Sequence, residues 1–389
     1  MTDANTLAPY VPEMTAWRHH LHAHPETAFA EVETARFIAE RLKEFGLEPH
    51  TGLAKTGVVA TLKRGTSNRA IGLRADIDAL DIPEANGFAY ASKNPGKMHA
   101  CGHDGHTAML LGAAKYLAEH GGFDGTIHFI FQPAEENEGG GRVMVEEGLF
   151  DAFPMDAVYG MHNWPMMPLG HAATKGGPLQ ASYDIFEITL TGRGTHAAMP
   201  QLGDDVLLAG GHLITALQSI SSRAVDPLDA VVVSVTQMHG GDTWNVLPGT
   251  AVLRGTVRAF AEATQTIAEE KMRRIADGIA ATFGIAAKVH YERRYPATVN
   301  DPKEAEFCAE VLAGLVGPDK LDTSPKSVMG AEDFAFLLAK KPGAYIWLGT
   351  ATPETTAMLH NPGFDFNDAA LPIGAAYWVR LAEAALPVR

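Results

Sequence analysis

The chain has 389 residues, more than one hydrophobic core usually serves, so two domains are expected. Apolar residues make up 46% and charged residues 20%, the balance of a globular protein, and no apolar run is long enough to span a bilayer. A formal net charge of -15 without a basic block argues against nucleic acid or an anionic membrane as partner.

The opening stretch, MTDANTLAPYVPEMTAWRHH, lacks the basic start and apolar core of a signal peptide. Two cysteines, Cys101 and Cys308, suit a reducing compartment, and a cytoplasmic protein is expected. Residues 9–45 carry Trp17 and Leu21, then Phe37, Ile38, Leu42 and Phe45 at helical spacing, which predicts two helices parted at HPETAF. The strands GVVATLK and AIGLRADIDAL follow across a Gly/Ser/Asn turn. GHTAMLLGAAKYLAEH reads as a helix that stops at Gly121-Gly122, and GTIHFIFQP as an apolar strand broken at Pro133. A helix, GGGRVMVEEGLF, and a strand, MDAVYGMHN, continue the alternation. The fold class is therefore α/β, a mostly parallel sheet flanked by helices.

From Tyr183 the rhythm changes to strand, helix, two strands, helix, strand, the ferredoxin-like order. Two consecutive strands with no crossover helix between them imply a separate antiparallel sheet. Residues 183–292 are expected to form an inserted α+β domain, and residues 1–182 and 293–389 a discontinuous catalytic domain. After Pro296 the helix and strand alternation resumes with PKEAEFCAEVLAGLVG, AEDFAFLLAK, GAYIWLGT and DAALPIGAAYWVRLAEAALP.

Chemistry gathers at the ends of the predicted strands. Cys101 and His103, in HACGHDGH, precede a helix, and thiolate with imidazole suits zinc and its first-row neighbours. Glu135 and Glu136 follow the strand that ends at Pro133, at the edge where open α/β sheets bind ligands. Adjacent side chains there can diverge, one carboxylate to a metal and its neighbour to a water. His162 directly follows a strand, and His360 follows GAYIWLG and its loop. Singly, each signal also fits a buried thiol, a solvated acidic loop or a surface imidazole. Together, positions near 101, 135, 162 and 360 converge on one crevice with the residue types of a metal centre. Cys308 falls on an apolar helical face and reads as core, and His19, His20, His22 and His24 read as structural or solvated.

The motifs RADIDAL, HACGHDGHTAMLLGAA, FQPAEENEGGGRVMVEEGLF, GMHNWP, GRGTHAAMP, NVLPGTAVLRGTVR, MGAEDFAFL and HNPGFDF agree in order and spacing with one family. The chain resembles the aminoacylase and carboxypeptidase family of dinuclear metallohydrolases. The branch it resembles most contains hippurate hydrolases, N-acetyl-amino-acid deacetylases and indole-acetyl-amino-acid hydrolases. The resemblance implies a zinc-exopeptidase-like catalytic domain, a ferredoxin-like lid, and two divalent ions, zinc or manganese, with cobalt or nickel as alternatives. It implies that Cys101 bridges both ions as thiolate, where other branches carry aspartate. His103 and His162 would complete one ion, Glu136 and His360 the other, with Glu135 as general base. Asp76 would orient a ligand from behind, or else form a buried ion pair with Arg74. His196 and Asn245 would approach the substrate from the lid, His196 as donor to the scissile carbonyl oxygen. Arg258 is a candidate for the substrate carboxylate, unless it is an ordinary exposed strand arginine, and Gly330 would allow close backbone approach. The expected reaction is amide hydrolysis of a small N-acyl amino acid by a homodimer or higher homo-oligomer joined through the lid. A dipeptidase or carboxypeptidase on the same site, and a non-catalytic metal-binding scaffold, are the alternatives.

Overall fold

The computed structural model describes residues 2–136, 138–355 and 357–388. The chain divides into two compact units. One comprises Met1–Leu179, Val299–Lys326 and Asp333–Arg389; the other comprises Gln180–Thr298 and Ser327–Glu332. The inserted unit thus begins and ends a few residues outside 183–292, and it recruits Ser327–Glu332 from the sequence that follows.

In the first unit, α1 (Val11–Ala23) and α2 (Val32–Glu44) precede the antiparallel pair β1 (Pro49–Leu53) and β2 (Gly57–Arg64). β3 (Ala70–Asp76), α3 (His103–His120), β4 (Gly125–Gln132), α4 (Gly140–Glu146) and β5 (Ala157–Pro168) follow. β3 is buried at every position because β4 and β5 flank it in parallel, which is why AIGLRAD shows no polar alternation until its last residues. Helix α3 is buried nearly all round, so its Ala, Leu and Met positions leave no solvated face until Lys115.

The inserted unit is built of β6 (Tyr183–Thr191), α5 (Val206–Leu217), β7 (Val231–His239), β8 (Thr250–Ala259), α6 (Glu262–Phe283) and β9 (Ala286–Tyr295). Its sheet has the order β7-β8-β6-β9 with every neighbour antiparallel, the ferredoxin-like arrangement. β6 alternates half-buried and buried positions, and Phe186, Ile188 and Leu190 pack against Leu213 of α5 and Met272 of α6. Asp205 caps α5 by accepting the Leu207 and Leu208 amides.

The first unit is completed by α7 (Pro302–Val316), β10 (Gly343–Ala351) and α8 (Leu371–Ala385). Its sheet runs β1-β2-β4-β3-β5-β10, with the short strands Ala172–Ala173 and Leu321–Asp322 beyond. β4, β3, β5 and β10 are mutually parallel, so their carboxyl ends share one edge. β5 does not end before His162 as its sequence suggested. Parallel pairing with β10 continues past Trp347↔His162 as far as Ala351↔Pro168 and carries the strand onward. AEDFAFLLAK forms a single helical turn, Ala335–Leu338. Among the described residues no helix is long and apolar enough to cross a membrane.

Candidate metal centre

Cys101 and His103 stand at the amino end of α3, on either side of Gly102, whose φ is +92°. A Cβ at Gly102 would lie 2.4 Å from Asn163 Oδ1, so the position must be glycine for conformation and space alike. Glu135 and Glu136 follow β4 after Pro133 and Ala134, and Ala134 adopts a left-handed φ of +52°. His162 projects from within β5. His360, also left-handed at φ +62°, is held by its amide donating to Ala100 O at 2.8 Å.

These residues form overlapping groups. The donor atoms of Cys101, His103 and His162 lie within 4.8 Å of one another, and so do those of Cys101, Glu136 and His360. Cys101 belongs to both. Glu135 belongs to neither and groups instead with His103 and Glu136. Cys101 Sγ is 3.3 Å from His162 Nε2. His360 Nε2 is 3.1 Å from Glu136 Oε1, yet that oxygen is buried without a hydrogen bond, as two ligands facing a common point would be.

The rings are held for ligation. His103 Nδ1 lies 2.9 Å from Asp78 O and 3.2 Å from Asp78 Oδ1, so in the neutral ring it carries the proton and Nε2, buried without a hydrogen bond, is the atom offered to a metal. His162 Nδ1 donates to Asn163 O at 2.7 Å, which likewise directs its Nε2 lone pair at the thiol. Burial, reinforced by the neighbouring His106, holds His162 well below the usual imidazole range, the neutral form a metal needs. Burial opposes charge on His103 too, but Asp76 and Asp78 outweigh it and lift the metal-free ring to about 10, so a cation binding at Nε2 must displace a proton from it. Burial first, then the carboxylates of Glu136, Glu135 and Asp76, push the Cys101 thiol well above its ordinary value. A buried pocket rich in carboxylate and thiol, with unpartnered imidazole and carboxylate atoms aimed inward, fits divalent cations.

The carboxylate that orients His103 is that of Asp78, a residue the sequence reading passed over. Asp76 lies 3.7 Å from His103 Nε2, pairs with Arg74 at 2.8 Å and contacts His106 Nδ1 at 2.6 Å. Both readings of Asp76 therefore touch part of its surroundings. His106, whose Nε2 lies 2.7 Å from Asn163 Oδ1, is engaged at both nitrogens and stands behind the ligands. Arg74 also donates to Gln132 and Asp333, and the Asp333 amide reaches Glu135 Oε1 at 3.4 Å. The D-x-D spacing of RADID was the available signal for Asp78, because alternate residues of an extended chain share a face.

A second buried network backs the helix start. Arg18 of α1 pairs with Asp104 at 3.0 Å and with Asp365, and lies 3.4 Å from Asp368. His22, read from sequence as structural or solvated, is buried between Asp104 at 2.8 Å and Glu84 at 3.1 Å. Phe366 packs where a Cβ on Gly105 would fall, 2.5 Å from its ring, seating the loop that carries His360 on α3.

Four expected substrate residues belong to the inserted unit. His196 pairs with Val246, and Asn245 O accepts the Ala197 amide at 2.9 Å, so His196 and Asn245 share one short ribbon. His196 is exposed, and its Nδ1 accepts the Ala198 amide at 3.1 Å, which leaves the proton on Nε2 as an outward donor. Arg258 is not an ordinary exposed arginine: it is half-buried with its guanidinium 4.1 Å from the centre of the Tyr183 ring. A Cβ on Gly330 would meet nothing nearer than 3.9 Å, so its own surroundings do not demand glycine.

The model of peptidase family M20/M25/M40 matches residues 72–384. The chain is 42% identical over 365 residues to the hippurate hydrolase of Campylobacter jejuni subsp. jejuni, covering 94% of each. It is 40% identical over 368 residues to an N-acetylcysteine deacetylase of Bacillus subtilis, again with 94% of each covered. Among solved structures it is similar to a Bacillus subtilis protein described as a dinuclear metal binding peptidase from the M20 family. The TM-score is 0.84 and the identity 36%, over 97% of this chain and 99% of that one.

Proposed function

The chain belongs to peptidase family M20/M25/M40, and from that premise we propose how its residues perform metal-dependent hydrolysis of the amide bond of N-acyl amino acids. The observation that carries the assignment of roles is that Cys101 is common to the group with His103 and His162 and the group with Glu136 and His360, while Glu135 is in neither of these two. Cys101 would serve as the shared ligand, with His103 and His162 holding one divalent ion and Glu136 and His360 the other. Zinc suits the thiolate best, and manganese suits the carboxylate and imidazoles. When bound, such a pair polarises a carbonyl and brings the pKa of a water from 15.7 to about 7.

Glu135 takes the proton of the attacking water and returns it to the leaving nitrogen; its absence from both groups that contain Cys101 supports this role. Nε2 of His196 donates to the developing oxyanion, and Asn245 approaches the substrate from the same ribbon. Arg258 and the backbone at Gly330 receive the substrate carboxylate. Support for Arg258 is its half-buried guanidinium, a planar donor suited to a carboxylate. The inserted unit acts as a lid and joins two copies in a homodimer. Trp244 and Leu228, fully or almost fully exposed there, support an apolar partner surface. The working compartment is the cytoplasm.

The test is amino-acid release from a panel of N-benzoyl and N-acetyl amino acids by metal-stripped protein reconstituted with zinc or manganese. Metal-dependent release that Glu135→Gln abolishes, with metal retained, is the expected result. Release of amino acids from dipeptides alone would move the assignment to a peptidase, and two bound ions with no turnover on either panel would point to a scaffold.

A further inference from the structure

Glu31, at the start of α2, is fully buried, and among the described residues no cation partners its carboxylate. One oxygen accepts the Thr56 hydroxyl at 2.7 Å and the other accepts the amide of Ala134 at 2.9 Å. Both partners adjoin unusual backbone. Ala54 and Lys55, just before Thr56, have φ of +49° and +67°, and Ala134 has +52°. Side chains with a Cβ avoid this region, and such strain persists only where the surroundings hold it.

The turn at Ala134 has a chemical consequence. Glu136 must point into the group shared with Cys101 and His360, while its neighbour Glu135 stays outside both Cys101 groups. Glu136 is fastened independently by its amide donating to Asp78 Oδ2 at 2.9 Å. The direction in which Glu135 leaves the chain is set one residue earlier, where Gly140 N donates to Ala134 O at 2.9 Å and Glu31 receives Ala134 N.

We infer that Glu31 is a positioning residue: by receiving the Ala134 amide it holds that residue left-handed and so aims the Glu135 carboxylate. The inference rests on the reading of Glu135 as general base. Glu31 touches neither substrate nor ligand atoms in this scheme and acts through the Ala134 backbone.

The logic predicts a specific rescue. Glycine enters the left-handed region without a side-chain penalty, so Ala134→Gly removes the need for the clamp. Kinetics on the zinc-reconstituted full chain, with the fastest substrate of the N-benzoyl and N-acetyl panel, read the effect. Glu31→Ala is expected to lower kcat about 10- to 100-fold with KM changed less than about threefold, the signature of a misaimed catalytic group. Glu31→Asp, too short to reach both partners, should behave similarly, whereas Glu31→Gln keeps an acceptor oxygen and most of the activity. Ala134→Gly alone should stay within about threefold of the parent, and in the double variant it should restore most of the lost kcat. Zinc content should remain that of the parent throughout. The inference is overturned if Glu31→Ala and Glu31→Asp turn over normally, if Ala134→Gly brings no relief, or if the loss follows lost zinc. If Glu31→Ala does not fold, the Asp and Gln variants carry the same comparison. Glu135→Gln separates the two claims. Retained turnover there sinks the base assignment, whereas its loss beside an unimpaired Glu31→Ala sinks only the clamp.

Discussion

Asp78 holds His103 from behind with two oxygens, its backbone carbonyl at 2.9 Å and its carboxylate at 3.2 Å from Nδ1, and its other carboxylate oxygen takes the Glu136 amide at 2.9 Å. One side chain therefore registers a candidate ligand of the first ion against a candidate ligand of the second. Asp78→Ala should weaken zinc binding about 10- to 100-fold, the usual loss when a ligand's outer partner is removed. Competition with a chromophoric chelator measures this, and an unchanged affinity would leave the backbone oxygen as sufficient.

Cys101 is the atom the two ligand groups share. Cys101→Ala should reduce the bound metal from two ions to one or none by elemental analysis. Cys101→Asp, with an oxygen bridge, should keep two ions and move preference from zinc towards manganese. Two tightly held zinc ions in the alanine variant would refute the bridge.

His196 offers its Nε2 proton outward because Ala198 N occupies Nδ1. Removing one oxyanion donor costs roughly 10²–10³ in rate, so His196→Ala should lose about that in kcat with zinc content intact. Mixing it with Glu135→Gln protein tests whether the donor serves a neighbouring subunit. Verified heterodimers that recover no activity would place the donor and the base in one chain.

His22 predicts a pH dependence of stability. Burial opposes its charge, but Asp104 and Glu84 outweigh it and raise its pKa from 6.5 to about 9. The folded protein thus keeps a proton that the unfolded chain releases first. The stabilisation is complete below pH 6.5, shrinks as pH rises towards 9 and is gone above it, with a total on the order of 3 kcal/mol. Urea unfolding in chelator at pH 6, 7.5 and 9 should show His22→Gln losing most at the lowest pH. An equal difference at all three would refute the linkage.

The candidate ligands were legible because their signals are local. Cysteine, histidine and glutamate lie at the ends of apolar strands or in the loops that follow, and a parallel sheet brings such ends to one edge whatever the details of packing. The β-α-β-β-α-β rhythm was legible for the same reason, since periodicities of two and 3.6 are properties of short segments. Asp78 was half-visible in RADID. Arg18, His22 and Glu31 were not: Arg18 meets Asp365, and Glu31 meets Ala134, across stretches of chain for which no spacing rule exists.

By itself, then, the sequence determined the element types, the parallel edge and the chemical kinds of donor gathered there, because side-chain chemistry and hydrophobic period are carried residue by residue. Tertiary structure alone decided that β5 runs on past His162, that Asp78 rather than Asp76 grips His103, and that Glu31 reaches the turn before Glu135. It also decided which imidazoles are pushed towards the neutral form and which towards the charged one, since that depends on burial and on carboxylates contributed by distant segments.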